Sequence, residues 1–220
     1  MIRGVVFDMD GLIFDTERLA QQGWSYAGRQ MGRDIPDELI LGAVGLDAEG
    51  TERIFLDYLG PDLDFAEFRK TRLGFVSEYI EKNGVPQKPG LVELLEYLKE
   101  RQYKIVVATS TDAVRANFYF EKAGLGHYFD SIICGDSVAA RKPAPDIYLK
   151  ACEMIFTAPG ECLALEDSPI GILAAHRAGM KPVMIPDLLL PDEETKKLLF
   201  AQLSSLVDVI DLLDRSRLDG

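Results

Sequence analysis

Five short apolar runs constrain this chain more than any other feature: residues 5–7, 105–108, 132–134, 162–165 and 182–185. Runs this short, apolar at nearly every position, suit strands covered on both faces, as in a parallel sheet. Helical patterns separate the later runs. Leu91, Leu94, Leu95 and Leu98 recur at helical spacing, and the segment 112–123 stops at Gly124. The segment 145–155 opens on Pro145, whose missing N–H costs nothing in a first turn. Strand and helix in alternation predict an α/β fold with a doubly wound parallel sheet.

The alternation breaks once, between Phe14 and Pro86, where about seventy residues carry helical patterns and no strand. An all-helical insertion is therefore expected, with helices near 17–31, 36–41, 48–58 and 65–83. The expected division is a sheet domain of residues 1–14 and 87–220 and a helical cap of residues 15–86. Asn83-Gly84 and Pro89-Gly90 mark the return to the sheet. Ser205 is placed to cap a last helix with Asp208 at its third position.

Composition narrows the partners. Hydrophobic residues make up 47% and charged residues 27%, the balance of a soluble globule. No run reaches the roughly 18 apolar residues of a spanning helix, and Asp8 interrupts the N-terminus early. A cytoplasmic protein is expected, with no membrane contact and, weighed on charge and the compact cap, a monomer. The net charge of −12 disfavours nucleic acid and anionic membranes. Cys134, Cys152 and Cys162 show no C-x-x-C spacing, so they read as buried thiols and not as disulfides or a zinc site. Trp24 reads as core of the insertion, and His127 and His176 fall outside every motif. The Leu188-Leu189-Leu190 run fits burial under the sheet edge or a partner contact equally well.

The first apolar run leads straight into Asp8-Met9-Asp10-Gly11, and ligands of doubly wound sheets bind at the carboxyl ends of strands. Spacing alone is weak evidence. Asp62-Leu63-Asp64 repeats it after Gly60-Pro61 with no strand before it, and reads as a solvated turn. Glu166-Asp167 ends another strand and offers the oxygens that a hard cation such as magnesium takes. The pair would equally cap the helix starting at Ser168-Pro169. Thr109-Ser110-Thr111-Asp112 brings hydroxyls and free backbone N–H groups to the same edge, as a phosphate cradle or a helix cap. Lys142, held extended by Pro143, reaches the head of the next helix. Each signal has an ordinary structural explanation, and their joint placement at one sheet edge carries the inference.

Taken together, Asp8-Met9-Asp10-Gly11-Leu12-Ile13-Phe14-Asp15-Thr16, Thr109-Ser110-Thr111, Lys142-Pro143-Ala144-Pro145-Asp146-Ile147-Tyr148 and Glu166-Asp167-Ser168 give the chain its likeness. It resembles the haloacid dehalogenase-like hydrolases, in the branch of helical-cap phosphatases and beta-phosphoglucomutases. The resemblance implies a Rossmann-like core and a small phosphorylated metabolite as substrate. It implies Asp8 as nucleophile and Asp10 as acid and base, with Thr109 and the Ser110 backbone holding phosphate and Lys142 as charge partner. It also implies Mg2+ on the Asp8 side chain, the Asp10 backbone carbonyl and Asp167, supported by Glu166.

The expected reaction is hydrolysis of phosphate monoesters, chiefly phosphorylated carbohydrates, through an aspartyl-phosphate. The insertion is expected to act as a lid, with Thr16 and Arg72 as candidate substrate contacts and Asp15 as a helix cap. For Arg72 the competing reading is a solvated helix face beside Arg69 and Lys70. A sugar phosphate mutase is the alternative. Against it, Ala20 stands where those mutases carry a cap histidine, and Leu46 aligns near the arginine with which they hold a second phosphate. A phosphate-binding regulatory protein is the remaining alternative; response-regulator receivers likewise combine an acidic cluster, a Thr or Ser and a Lys on a doubly wound sheet, but lack the large insertion and the D-x-D after the first strand.

Overall fold

The computed structural model describes residues 1–44, 46 and 48–218. By its internal contacts the chain divides into two compact units, Met1–Phe14 with Gln87–Gly220, and Asp15–Pro86.

The first unit holds a six-stranded, all-parallel sheet in the order β3-β2-β1-β4-β5-β6. Its strands are β1 (Gly4–Phe7), β2 (Lys104–Ala108), β3 (Ser131–Ile133), β4 (Cys162–Glu166), β5 (Lys181–Met184) and β6 (Ala201–Gln202). The first five coincide with the apolar runs, and β6 is an addition. Strand order reverses direction at β1, so the crevice beyond its carboxyl end is the expected ligand site.

Side chains alternate across each strand. Val6, Val106, Ala108, Cys162 and Ala164 pack with Ile147, Tyr148, Ala151 and Cys152 of α7 (Asp146–Met154) and Ala174 and Ala175 of α8 (Pro169–Arg177). Phe7 points the other way and meets Phe129 edge to face at 5.9 Å. Helix α5 (Leu91–Glu100) buries Leu91, Leu94, Leu95 and Leu98 and packs on β2. Helix α6 (Ala113–Ala123) ends on Gly124 in the left-handed conformation, as expected. Pro145 is the residue before the first turn of α7 and not inside it. After the short α9 (Glu193–Leu198), helix α10 (Asp208–Leu218) begins with the Asp208 carboxylate accepting from the N–H groups of Ser204 and Ser205. Cys134, Cys152 and Cys162 are buried free thiols. The Leu188–Leu190 segment is not buried under the edge, and Leu190 is 79% exposed.

The second unit consists of α1 (Thr16–Gln30), α2 (Asp37–Gly42), α3 (Ala48–Leu59) and α4 (Phe65–Asn83). Its core gathers on Trp24, whose ring centroid lies 4.6 Å from that of Phe55 and 5.0 Å from that of Phe68. Asp64 caps α4 by accepting from the Glu67 N–H, so the Asp62-Leu63-Asp64 repeat of the spacing is a turn and a helix start. Asp15 sits at the cap position of α1 but makes no cap bond; its carboxylate pairs with Arg18 at 2.8 Å.

Where the chain crosses between units, its two passes run side by side. Lys88 N–H donates to Ile13 O in the first unit, and Asp15 N–H donates to Pro86 O in the second. Among the described residues no helix is long and apolar enough to cross a membrane.

Candidate active site

β1 pairs with β2 and β4 in a register that aligns Phe7 with Val107 and Leu165. The next residues, Asp8, Ala108 and Glu166, therefore stand level on three adjacent strand ends. Lys142 enters this row from the loop ahead of α7, after which the Lys142–Pro143 peptide bond is cis. Its Nζ donates to Asp8 Oδ1 at 2.5 Å, Glu166 Oε1 at 2.7 Å and Ala108 O at 3.0 Å. All three ammonium donors are thereby used. Only 6% of the Lys142 side chain is exposed, far from the usual state of a loop lysine.

Glu166 is fully buried, and its oxygens are engaged on both sides. Oε1 also accepts from Tyr148 O–H at 2.5 Å, while Oε2 accepts from the Ser168 hydroxyl at 3.1 Å. Gly171 is required opposite, because a Cβ there would overlap the Glu166 carboxylate. The capping explanation for Glu166 and Asp167 falls, since Ser168 caps α8 by accepting from Gly171 N–H at 3.2 Å. Helix α6 is likewise capped by Asp112. That leaves Thr109, 1% exposed, with its hydroxyl accepting from Thr111 N–H at 3.0 Å, and Ser110 exposed beside it.

Loss of water is the largest influence on the Asp8 carboxyl, pushing it up to about 8, with Glu166 and Asp10 adding to the shift and Lys142 opposing it. Burial disfavours the Lys142 charge as well, yet the Asp8 and Glu166 carboxylates hold its pKa well above the ordinary lysine range. Burial, then Glu166, raises the Tyr148 hydroxyl in the same way, so it stays a donor. Lys142 is thus shared between two buried carboxylates, Asp8 and Glu166.

Asp8, Glu166 and Asp167 each offer an oxygen within 4.8 Å of the others. An all-oxygen donor set suits a hard divalent cation. The turn after β1 is shaped against Asp167. Gly11 takes φ +83°, and a Cβ on it would overlap the Asp167 carboxylate. These residues fit the magnesium that the resemblance implies. Asp10 lies in this same turn and accepts from the Thr111 hydroxyl at 2.7 Å on Oδ2.

The structure thus brings together Asp8, Asp10, Thr109, Ser110, Lys142, Glu166 and Asp167 on one edge of the first unit. Thr16 and Arg72 belong to the second unit. Thr16 is the buried first residue of α1, and the Arg72 guanidinium lies 5.2 Å over the Trp24 ring, not on a solvated face. Two partners were not assigned from sequence, Tyr148 to Glu166 and Thr111 to Asp10. A tyrosine on the apolar face of α7 was the available signal for the first, since its hydroxyl needs a buried partner.

A family model described as haloacid dehalogenase-like hydrolase matches residues 5–185. The chain is 33% identical over 196 residues to a "Probable pseudouridine-5'-phosphatase" of Drosophila melanogaster, covering 86% of this chain and 84% of that one. It is 29% identical over 182 residues to the "Phosphorylated carbohydrates phosphatase" of Thermotoga maritima, covering 83% and 84%. The crystal structure of CbbY from Rhodobacter sphaeroides in complex with phosphate superposes with a TM-score of 0.80 at 24% identity, covering 95% of this chain and 96% of that one. The matched span takes in every strand-end residue from Asp8 to Asp167, and the chain belongs to the haloacid dehalogenase-like hydrolases, in their phosphatase and phosphoglucomutase-like branch.

Proposed function

We propose that the protein is a magnesium-dependent phosphatase of small phosphorylated carbohydrates, acting through a phosphoaspartate on Asp8. The observation that carries this reading is the buried Lys142 ammonium between Asp8 and Glu166, beside Asp167. Asp8 and Glu166 share the Lys142 ammonium with Asp167 close beside them, so further positive charge would favour the entry of a phosphate dianion. Magnesium on Asp8, Asp167 and the Asp10 carbonyl, with Glu166 behind them, would supply that charge and keep Asp8 ionised.

The chain's own residues then divide the work. Lys142 fixes Asp8 by one oxygen and screens its repulsion from the incoming dianion. Thr109 and the Ser110 N–H hold the transferring phosphoryl group. Protonated Asp10 gives its proton to the departing ester oxygen as Asp8 bonds to phosphorus. The Asp10 carboxylate then takes a proton from water as that water displaces Asp8, restoring both residues. The position that carries a cap histidine in the resembling mutases is here the buried Ala20, which favours water as the final acceptor.

The test is phosphate release from a panel of sugar phosphates with magnesium and with chelator, the same tubes being searched for isomerised sugar phosphate. Magnesium-dependent release is expected. Isomerised product without free phosphate would establish a mutase, and neither product would leave a phosphate-binding role.

A further inference from the structure

At the edge of the sheet opposite Asp8, where β1 and β2 begin, lies a cleft of about 650 Å³ that borders none of the catalytic residues. That volume is within the range of sites that hold small organic molecules. Arg3, just ahead of β1, Lys104, the first residue of β2, and Arg101, just after α5, all line it. Among the described residues of the wall, Asp130 is the one acid. In a chain of net charge −12 this is a local reversal of the field. The acids nearest these cations hold them loosely: Glu161 stands 3.8 Å from Arg3, Asp214 3.8 Å from Arg101 and Asp130 4.0 Å from Lys104. All three distances exceed a hydrogen bond. Arg101 lies over the Tyr97 ring at 5.0 Å, which leaves the edge of its guanidinium for a ligand.

The backbone of the same wall supplies a second, independent observation. Both described non-glycine residues with φ in the left-handed region are here, Gln102 at 58° and Phe156 at 53°. Each follows the end of a helix, α5 and α7, where glycine takes this conformation without strain. Phe156 is moreover 97% exposed, with half-exposed Met154 beside it. A phenylalanine here costs the fold twice, in backbone strain and in an apolar ring left in water. Strain of this kind collects at ligand clamps.

We propose that the cleft is a second binding site, for a small organic anion with a flat apolar body. Arg3, Arg101 and Lys104 take the anionic group, whose oxygens suit the planar fork of a guanidinium. The Phe156 ring, with Met154, covers the apolar body. The site does not depend on the phosphatase reading.

Anilinonaphthalene sulfonate, a flat aromatic anion that fluoresces when shielded from water, tests this on the full chain. N-phenylnaphthylamine, with the same rings and no sulfonate, is its neutral counterpart. One saturable site for the anion is expected. Phe156→Gly and the double variant Arg101→Gln with Lys104→Gln should each weaken it at least about 10-fold, and the neutral probe should bind wild type more weakly by a similar factor. Phe156→Gly relieves the left-handed strain as it removes the ring, so its melting temperature should stay within about 3 °C of wild type. Equal affinity in wild type and variants would put the probe elsewhere and overturn the site. A neutral probe bound as tightly as the anion would overturn the ligand class, and the absence of saturable binding would overturn both. Loss of binding only in variants that melt more than about 3 °C lower would make these residues structural and end the proposal.

Discussion

Replacing Lys142 by methionine keeps the length of the side chain and removes the ammonium from the most crowded point of the site. Three hydrogen bonds disappear at once, to Asp8, Glu166 and the Ala108 carbonyl. Glu166 is wholly buried and the Asp8 side chain is 11% exposed, so water cannot take over the role of the lysine. Removing one member of a buried ion pair typically destabilises a protein by about 3–5 kcal/mol. At roughly 2–4 °C per kcal/mol for a chain of this size, the melting temperature should drop by about 6–20 °C. Proton uptake by Asp8 limits the loss, so the deficit should shrink as the pH is lowered. Magnesium should shrink it as well, by entering the excess of negative charge. Thermal unfolding of both proteins, with chelator and with magnesium, checks this. A drop of under about 3 °C in chelator would show that the lysine is not the counter-charge of this cluster, and a full drop that magnesium leaves untouched would remove the cation from the argument.

Asp8→Asn should abolish turnover in a preparation free of host phosphatase, whereas Asp10→Asn should slow it by about 10²- to 10⁴-fold, both read by phosphate release. In the metal-free protein the Asp8 carboxyl titrates near 8 and in the unfolded chain near ~3.9, so the folded state binds the extra proton and stability falls as pH rises through that interval. Magnesium binding should then release a proton below about pH 8 and tighten with rising pH until Asp8 is ionised, which calorimetry in buffers of different protonation enthalpy measures. Gly11→Ala forces a side chain onto a φ of +83° and into Asp167; a destabilisation of roughly 1–3 kcal/mol and a raised magnesium requirement are expected in thermal and activity titrations.

The sheet was legible because its central strands β1 and β4 are buried throughout and β2 and β5 at all but their first residue, and so are written as nearly unbroken apolar runs. β6 escaped because Ala201–Gln202 is two residues long and at least partly exposed, with no period to detect. The helical insertion was visible as a gap in the strand pattern. At the site, the residue types and their strand-end placement survived translation into space, because a parallel register puts successive strand ends in one row. What sequence could not supply was which polar atom meets which. Glu166 and Asp167 looked as much like a helix cap as a cation site, and only the Ser168 hydroxyl on Gly171 separates the two. Arg72 looked like a solvated cation and instead lies on Trp24, since a helix of this composition does not declare which face another helix covers. Thr111 was quoted within its motif without a task, because a contact across 101 residues leaves no local trace.

The paired crossings at Ile13–Lys88 and Asp15–Pro86 bear on how such a chain can change over time. Leaving and returning at neighbouring points makes the seventy inserted residues equivalent, for the sheet, to the loop of a hairpin. The entropy of closing such a loop grows only with the logarithm of its length, by roughly 0.6 kcal/mol per doubling. A shorter, longer or wholly different segment spliced between the same two points would leave the sheet almost as stable as before. The loop-closure term thus sets little limit on what the inserted helices can become between those two points.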